Sequence, residues 1–249
     1  MIARPFETLI VALTLTSAFA PAIAAPVSGQ GTWESELKAR DINSDGVVDA
    51  YYDSALNLTW LADANFAKTS GFVTTSDLGS AYVGSMAWST ANTWASGLDV
   101  FGVTGWRLPG SSMQGLPPGC GSTTDNFGCS VTPDPSFSEM AHMFYVTLGN
   151  TAAGLTNTGL FANLQTNLAY DTGTFVQAGR PFAFRFDFSN GSATLAGELA
   201  SVPGYAWAVH DGDIAAAVPE PQTYALMLVG LGALALAARR RNRRLSTAA

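Results

Sequence analysis

An α+β domain with two helices and antiparallel strands is the fold class this sequence predicts, and three observations carry it. Two stretches of helical period, 86–98 and 138–150, precede a C-terminal half in which short apolar runs alternate. Those runs are separated by Gly-, Asp- and Asn-containing turns, the pattern of hairpins rather than of strands joined through helices. Finally, 197 residues (25–221) lie between two apolar terminal segments, which suits one domain with its own core.

The elements follow in chain order. Residues 1–24 combine Arg4, an apolar run over 9–20 and the small-x-small site Ala22-Ile23-Ala24, the layout of a signal peptide whose removal by signal peptidase leaves Ala25 first. Residues 29–40 are a polar lead-in without period. In DINSDGVVD, Asp41, Asn43, Asp45 and Asp49 stand at positions 1, 3, 5 and 9 of a calcium loop, with Gly46 at the sharp turn and the Val47 carbonyl at position 7. Tyr52 occupies position 12, where a bidentate carboxylate belongs, so the stretch reads either as a weak calcium site or as an Asp-Gly turn. Calcium is the one cofactor to be weighed.

From 47 to 62 the alternation of Tyr51, Leu56, Leu58 and Trp60 predicts a hairpin reversing near Ser54-Ala55. Trp88, Ala91, Trp94, Ala95 and Leu98 recur at three- and four-residue spacing, with Ser85 placed to cap the helix and Gly97 and Asp99 to end it. A short strand over 103–108 leads into a Gly/Pro-rich loop that contains Cys120 and Cys129. In an oxidising compartment this pair reads as a disulfide, worth about 2–3 kcal/mol. Ser136 or Ser138 then starts the second helix, with Met140, Phe144 and Leu148 on one face. Phe182, Phe184, Phe186 and Phe188 alternate with Ala183, Arg185 and Asp187 as a strand with one apolar face, and Tyr205, Trp207 and Val209 predict a last strand before Asp211-Gly212-Asp213.

The chain closes on Pro219-Glu220-Pro221, an uncharged run over 222–238 and five arginines, Arg239, Arg240, Arg241, Arg243 and Arg244. As a helix the 17-residue run reaches about 25 Å, just enough to cross a hydrocarbon core of about 30 Å, and the arginines belong on its cytoplasmic side. Residues 218–244 resemble the PEP-CTERM sorting signal of bacteria that make exopolysaccharide. The resemblance implies cleavage by an exosortase, an inner-membrane-anchored intermediate and a final place at the cell surface or in the matrix.

Between the flanks, residues 25–221 carry six cations against eighteen carboxylates, a net charge of −12. Such a domain cannot neutralise a phosphate backbone, which excludes nucleic acid as a partner.

A second resemblance rests on YYDSALNLTWLADAN, MAWSTANTWASGLDV, TGWRLPG, SEMAHMFYVTLGN, GLTNTGLFANLQ and YAWAVHDGD, spread over 51–213. In that order they are similar to the Lcl C-terminal type of domain, itself related to the C-type lectin-like fold. Residues 25–217 would then be one exported domain. Tyr170-Asp171-Thr172-Gly173-Thr174-Phe175 stands where that family usually shows Tyr-Trp-Ser-Gly-Thr-Glu, and His210 where it shows Arg. Neither an Glu-Pro-Asn nor a Gln-Pro-Asp triplet is present, so sugar binding is an analogy of fold.

Catalytic signatures are absent from the sequence: there is no G-x-S-x-G, H-E-x-x-H or phosphate-binding glycine loop. Glu139 and His142, three apart on a helix, are a weak acid–base pair at most. The expectation is an exported surface or matrix protein that binds or builds rather than catalyses, with extracellular polysaccharide as candidate partner and Trp106, Tyr170 and Tyr205 as candidate sugar contacts. The alternative is a polysaccharide-modifying enzyme that uses two of the acidic residues.

Overall fold

The lead-in is the first departure from expectation. It contains one helical turn, α1 (Trp33–Glu36), and a strand, β1 (Leu37–Arg40). Only Trp33 and Leu37 of these eight residues are buried, too few for any period to show. The computed structural model in which this is seen describes residues 25–112, 130–176, 182–197 and 202–214.

The predicted hairpin forms from β2 (Ala50–Asp53) and β3 (Leu58–Leu61), paired Asp53 to Leu58 and Ala50 to Leu61. Its turn is set by Asp53, whose Oδ1 accepts the amides of Ala55 and Leu56 at 3.0 and 3.2 Å, and by Asn57 at φ 53°. The one-turn helix α2 (Phe66–Thr69) follows, then α3 (Trp88–Ser96). Ser85 does not cap α3: Ala87 holds the N-cap position, and the buried Ser85 hydroxyl lies 3.3 Å from that of Ser76 instead. The stripe itself is as expected. Ala91, Trp94 and Ala95 are buried, and Gly97 ends the helix.

β4 is only Trp106–Arg107 and β5 only Ser130–Val131. The second helix, α4 (Glu139–His142), is capped by Ser138, whose Oγ accepts the Ala141 amide. After four residues it widens into a π-turn over Met143–Thr147. The extra residue aligns His142 with Thr147, whose hydroxyl donates to the buried Asp53 Oδ2 at 3.0 Å and lies 3.4 Å from His142 Nδ1.

β6 (Tyr170–Val176), β7 (Phe182–Asp187) and β8 (Ser192–Gly197) form an antiparallel meander, and β9 (Val209–Asp211) is the last strand described. Two sheets result, in the orders β1-β2-β3-β9-β4 and β5-β8-β7-β6. The strand expected over 205–209 is shorter and later, because Tyr205 and Trp207 are fully buried in irregular chain that leads to β9. Nor does β7 have an apolar and a solvent face. Phe184 and Phe186 are buried on one side, and Ala183 and Arg185 on the other.

Arg185 is tolerated there because its Nε donates to Asp171 Oδ1 at 2.6 Å across the β6–β7 pair, while Nη1 and Nη2 donate to the carbonyls of Pro203 and Val202. Burial nonetheless pushes the Asp171 carboxyl up to about 6, with the Arg185 charge pulling against it.

The core is a continuous stack of rings. Trp60 of β3 meets Trp207 at 4.7 Å between centroids, Trp207 meets Phe188 at 6.0 Å, and Phe188 meets Phe144 at 5.7 Å and Phe186 at 5.0 Å. This stack joins both sheets and the second helix. Each contact of this kind adds about 0.5–1.5 kcal/mol beyond area burial. The candidate sugar contacts belong to the same interior: Trp106 is 2% exposed and Tyr170 and Tyr205 are 0%, so none of them meets a ligand. Aromatic alternation cannot tell a core ring from an exposed one in so small a domain.

Candidate functional site

A groove of about 760 Å³ runs between α3 and the chain that leaves α2. The turn after α2 builds one wall. Asp63 accepts the Asn65 amide and the Thr69 hydroxyl, both at 2.8 Å, and so holds both ends of α2. Gly71, at φ 77°, then reverses the chain in a conformation that L side chains rarely adopt, and the Val73 amide returns to the Ala67 carbonyl at 2.8 Å. This reversal leaves Phe72 projecting, 54% exposed, with its ring 6.4 Å from that of the buried Trp94.

α3 builds the other wall. Thr90, Thr93, Trp94 and Gly97 are spaced by three and four residues and share one helix face. The groove therefore has an apolar floor of Phe66, Phe72, Trp94 and Leu98, with hydroxyls of Ser70, Ser89, Thr90 and Thr93 and the carboxylate of Asp99 around it. Asp99 Oδ1 accepts the Gly102 amide at 2.7 Å, which fixes a tight turn at whose tip Phe101 is 60% exposed at φ 51°. A bulky residue is uncommon at positive φ. A smaller pocket of about 290 Å³ is lined by Thr75, Ser76, Asp77, Ser85 and Pro203 among others. Gly71 and Phe72 line the groove and 75–77 the pocket; Ser89 lines the groove and Ala87 the pocket.

None of these groove residues stood out in the sequence as a site. Phe72 is a single aromatic in a polar stretch, and only the Gly-Phe step after α2 marks it. Thr90 and Thr93 flank the Trp stripe at helical spacing, a signal read there as packing alone.

The sequence-predicted residues fall elsewhere. Glu139 and His142 do not act together: Glu139 accepts Arg107 Nη1 and Nη2 at 2.8 Å each and the Gly110 amide at 2.6 Å, while His142 faces Thr147. Hydrogen bonds to Glu139 and then to Asp211, with their negative charge, hold the Arg107 guanidinium above its ordinary range against the pull of burial.

Asp41, Asn43, Asp45, Val47 and Asp49 do share one exposed loop, organised by its own amides. Asp41 Oδ1 and Oδ2 accept Asp45 and Gly46 N–H at 3.1 and 2.8 Å, Asp45 Oδ1 accepts Val47 N–H at 2.8 Å, and Asp49 Oδ2 accepts Ile42 N–H at 2.8 Å. Among the described residues no group of three or more His, Cys, Asp or Glu is placed to hold a metal ion. These bonds organise the loop as a set of Asx turns.

Segment 1–24, Cys120 and Cys129, and the tail with Pro219, Glu220, Pro221 and the run 222–238 lie outside the described residues. Among the described residues no helix is long and apolar enough to cross a membrane. For the tail, comparison with known proteins decides: residues 217–241 match the PEP-CTERM protein-sorting motif. This chain carries a PEP-CTERM tail. The motif implies an exported protein with a membrane-anchored intermediate that an exosortase processes. No curated protein and no solved structure matches the chain, so the lectin-like resemblance gains no support from them. What precedes the PEP-CTERM tail must be read from its own groove.

Proposed function

We propose that this PEP-CTERM chain is a non-catalytic surface or matrix module that holds a polysaccharide strand in the groove beside α3. The observation that carries the reading is Phe72, more than half exposed yet positioned against Trp94 in a groove edged by hydroxyls. A pyranose presents an apolar C–H face to an aromatic ring and hydroxyls to short polar side chains, and this groove supplies both. Its volume lies within the range of about 300–1,000 Å³ typical of ligand sites.

Binding is favoured over hydrolysis because glycoside cleavage takes two carboxylates about 5–10 Å apart, and Asp99 is the one carboxylate among the groove's lining residues. The lectin-like likeness enters only as an analogy of fold. Anchoring before exosortase processing would present the groove to the cell's own polymer during release. The test is co-sedimentation of the full-length protein, in detergent, with a panel of polysaccharides. Binding to at least one polymer that Phe72→Ala weakens by roughly tenfold or more is expected, since a hot-spot aromatic contributes about 1–3 kcal/mol. Binding indifferent to Phe72→Ala would remove the groove from the proposal.

A further inference from the structure

We infer that the polysaccharide is a basic one, an amino-sugar polymer with free ammonium groups, and that Asp99 pairs with an ammonium held beside Phe72. This rests on the groove reading above and adds the charge of the ligand to it.

No Lys or Arg is among the residues that line the groove, and the arginines of the described chain are paired elsewhere. Arg40 is paired with Asp213, Arg107 with Glu139 and Asp211, and Arg185 with Asp171. Lys38, on β1, sits 5.9 Å from the Tyr52 ring centroid, and Lys68, although it stands between the lining residues Phe66 and Ser70, is not itself among the residues that line the groove or the smaller pocket. A uronate or sulfated chain thus meets no basic lining residue in either depression. It meets repulsion, because the only charged lining residues are Asp99 in the groove and Asp77 in the pocket, within a domain of net charge −12 over 25–221.

An ammonium-bearing chain meets the reverse. Asp99 uses Oδ1 on the Gly102 amide, which fixes the carboxylate, and no hydrogen bond among the described residues engages Oδ2. Phe72 lines the same groove, so an ammonium-bearing chain held there also meets an aromatic ring, where cation–π attraction adds to the ion pair. The second depression, lined by other residues of the same loop and of the start of α3, carries charge of the same sign in Asp77. An ammonium-bearing chain gains from this charge; a neutral chain does not.

The experiment uses the full-length protein in detergent and three probes: a poly-glucosamine, its fully N-acetylated counterpart and a polyuronate, at mildly acidic pH and low salt. The expected order is poly-glucosamine tightest, the acetylated polymer weaker by roughly tenfold, and no polyuronate binding. Asp99→Asn keeps an acceptor for the Gly102 amide and should reduce poly-glucosamine binding roughly 3- to 10-fold while leaving the acetylated polymer unaffected. Asp134→Asn removes the same charge outside the groove and should change neither. Equal binding of the amine and acetylated polymers, or equal losses from Asp99→Asn and Asp134→Asn, would overturn the inference and leave the groove reading standing. Failure of every probe to show a loss with Phe72→Ala would overturn both.

Discussion

Replacing Arg107 tests whether burial, rather than distance, decides which ion pairs hold this fold together. Its five N–H donors are all engaged: Nε and Nη2 with Asp211, Nη1 and Nη2 with Glu139, and Nη1 with the Leu108 carbonyl. One side chain thereby ties β4 to the end of β9 and the start of α4. The Asp211 contact is the shorter, 2.5 Å against 2.8 Å, but the Asp211 side chain is 75% exposed and that of Glu139 is 24%. Charge-assisted bonds are worth about 1.5–3 kcal/mol when shielded, and exposed pairs about 0.2–1 kcal/mol. Arg107 is itself 35% exposed, so both figures are discounted, to about 1.5 kcal/mol for Glu139 and about 0.5 kcal/mol for Asp211. Arg107→Met should then cost about 2 kcal/mol, and Arg107→Lys, which keeps a charge but loses the fork, about 1 kcal/mol. Urea unfolding followed by tryptophan fluorescence gives both numbers, and double-mutant cycles with Glu139→Gln and Asp211→Asn separate the partners. A coupling to Asp211 as large as that to Glu139 would refute the reasoning.

Other changes test single features. Gly31→Ala places a Cβ 2.4 Å from the Thr147 carbonyl oxygen at φ 75°, and should destabilise by roughly 2–5 kcal/mol in thermal unfolding. Gly46→Ala, at φ 89° with nothing within 4 Å, should cost only about 1 kcal/mol. Asp41→Ala should cost about 1 kcal/mol in calcium-free buffer through its two lost amide bonds, with no shift of the wild-type midpoint by millimolar calcium; a shift abolished by that substitution would instead make the loop a metal site. The hydrogen bond from Arg40 holds the Asp213 carboxyl below its ordinary 3.8, so its stabilisation is present above that pH and lost as pH falls through the lowered value. Asp213→Asn should therefore flatten the acid limb of the stability profile below pH about 4.

What the sequence made legible was local. The Ala91, Trp94 and Ala95 stripe, the Ser138 cap and the hairpin over 50–61 are each specified by residues within one or two turns of each other. The insertion of β9 between β3 and β4 was not, because it joins segments about 150 residues apart whose only local mark is three residues. Nor could alternation reveal that both faces of β7 are covered, since Arg185 reads as solvent-facing until Asp171 and the 202–203 carbonyls are known to surround it. The groove escaped for a related reason. Exposure of Phe72 follows from a left-handed glycine and from the position of a helix sixteen residues on, and neither is a property of the residue itself.

The position of β9 also bears on mechanics. In a membrane-anchored intermediate the tether is the chain beyond residue 214, and the last described strand before it is interior, flanked by β3 and β4. A pull on that tether reaches β9 and its two ladders first, with the Thr59 hydroxyl bonded to the Gly212 carbonyl at 2.7 Å as a further fastening. Two ladders must give way before β9 leaves its sheet, whereas an edge strand is held by one. The domain is thus hung from its middle, and drag on the anchored protein is carried into the centre of the first sheet.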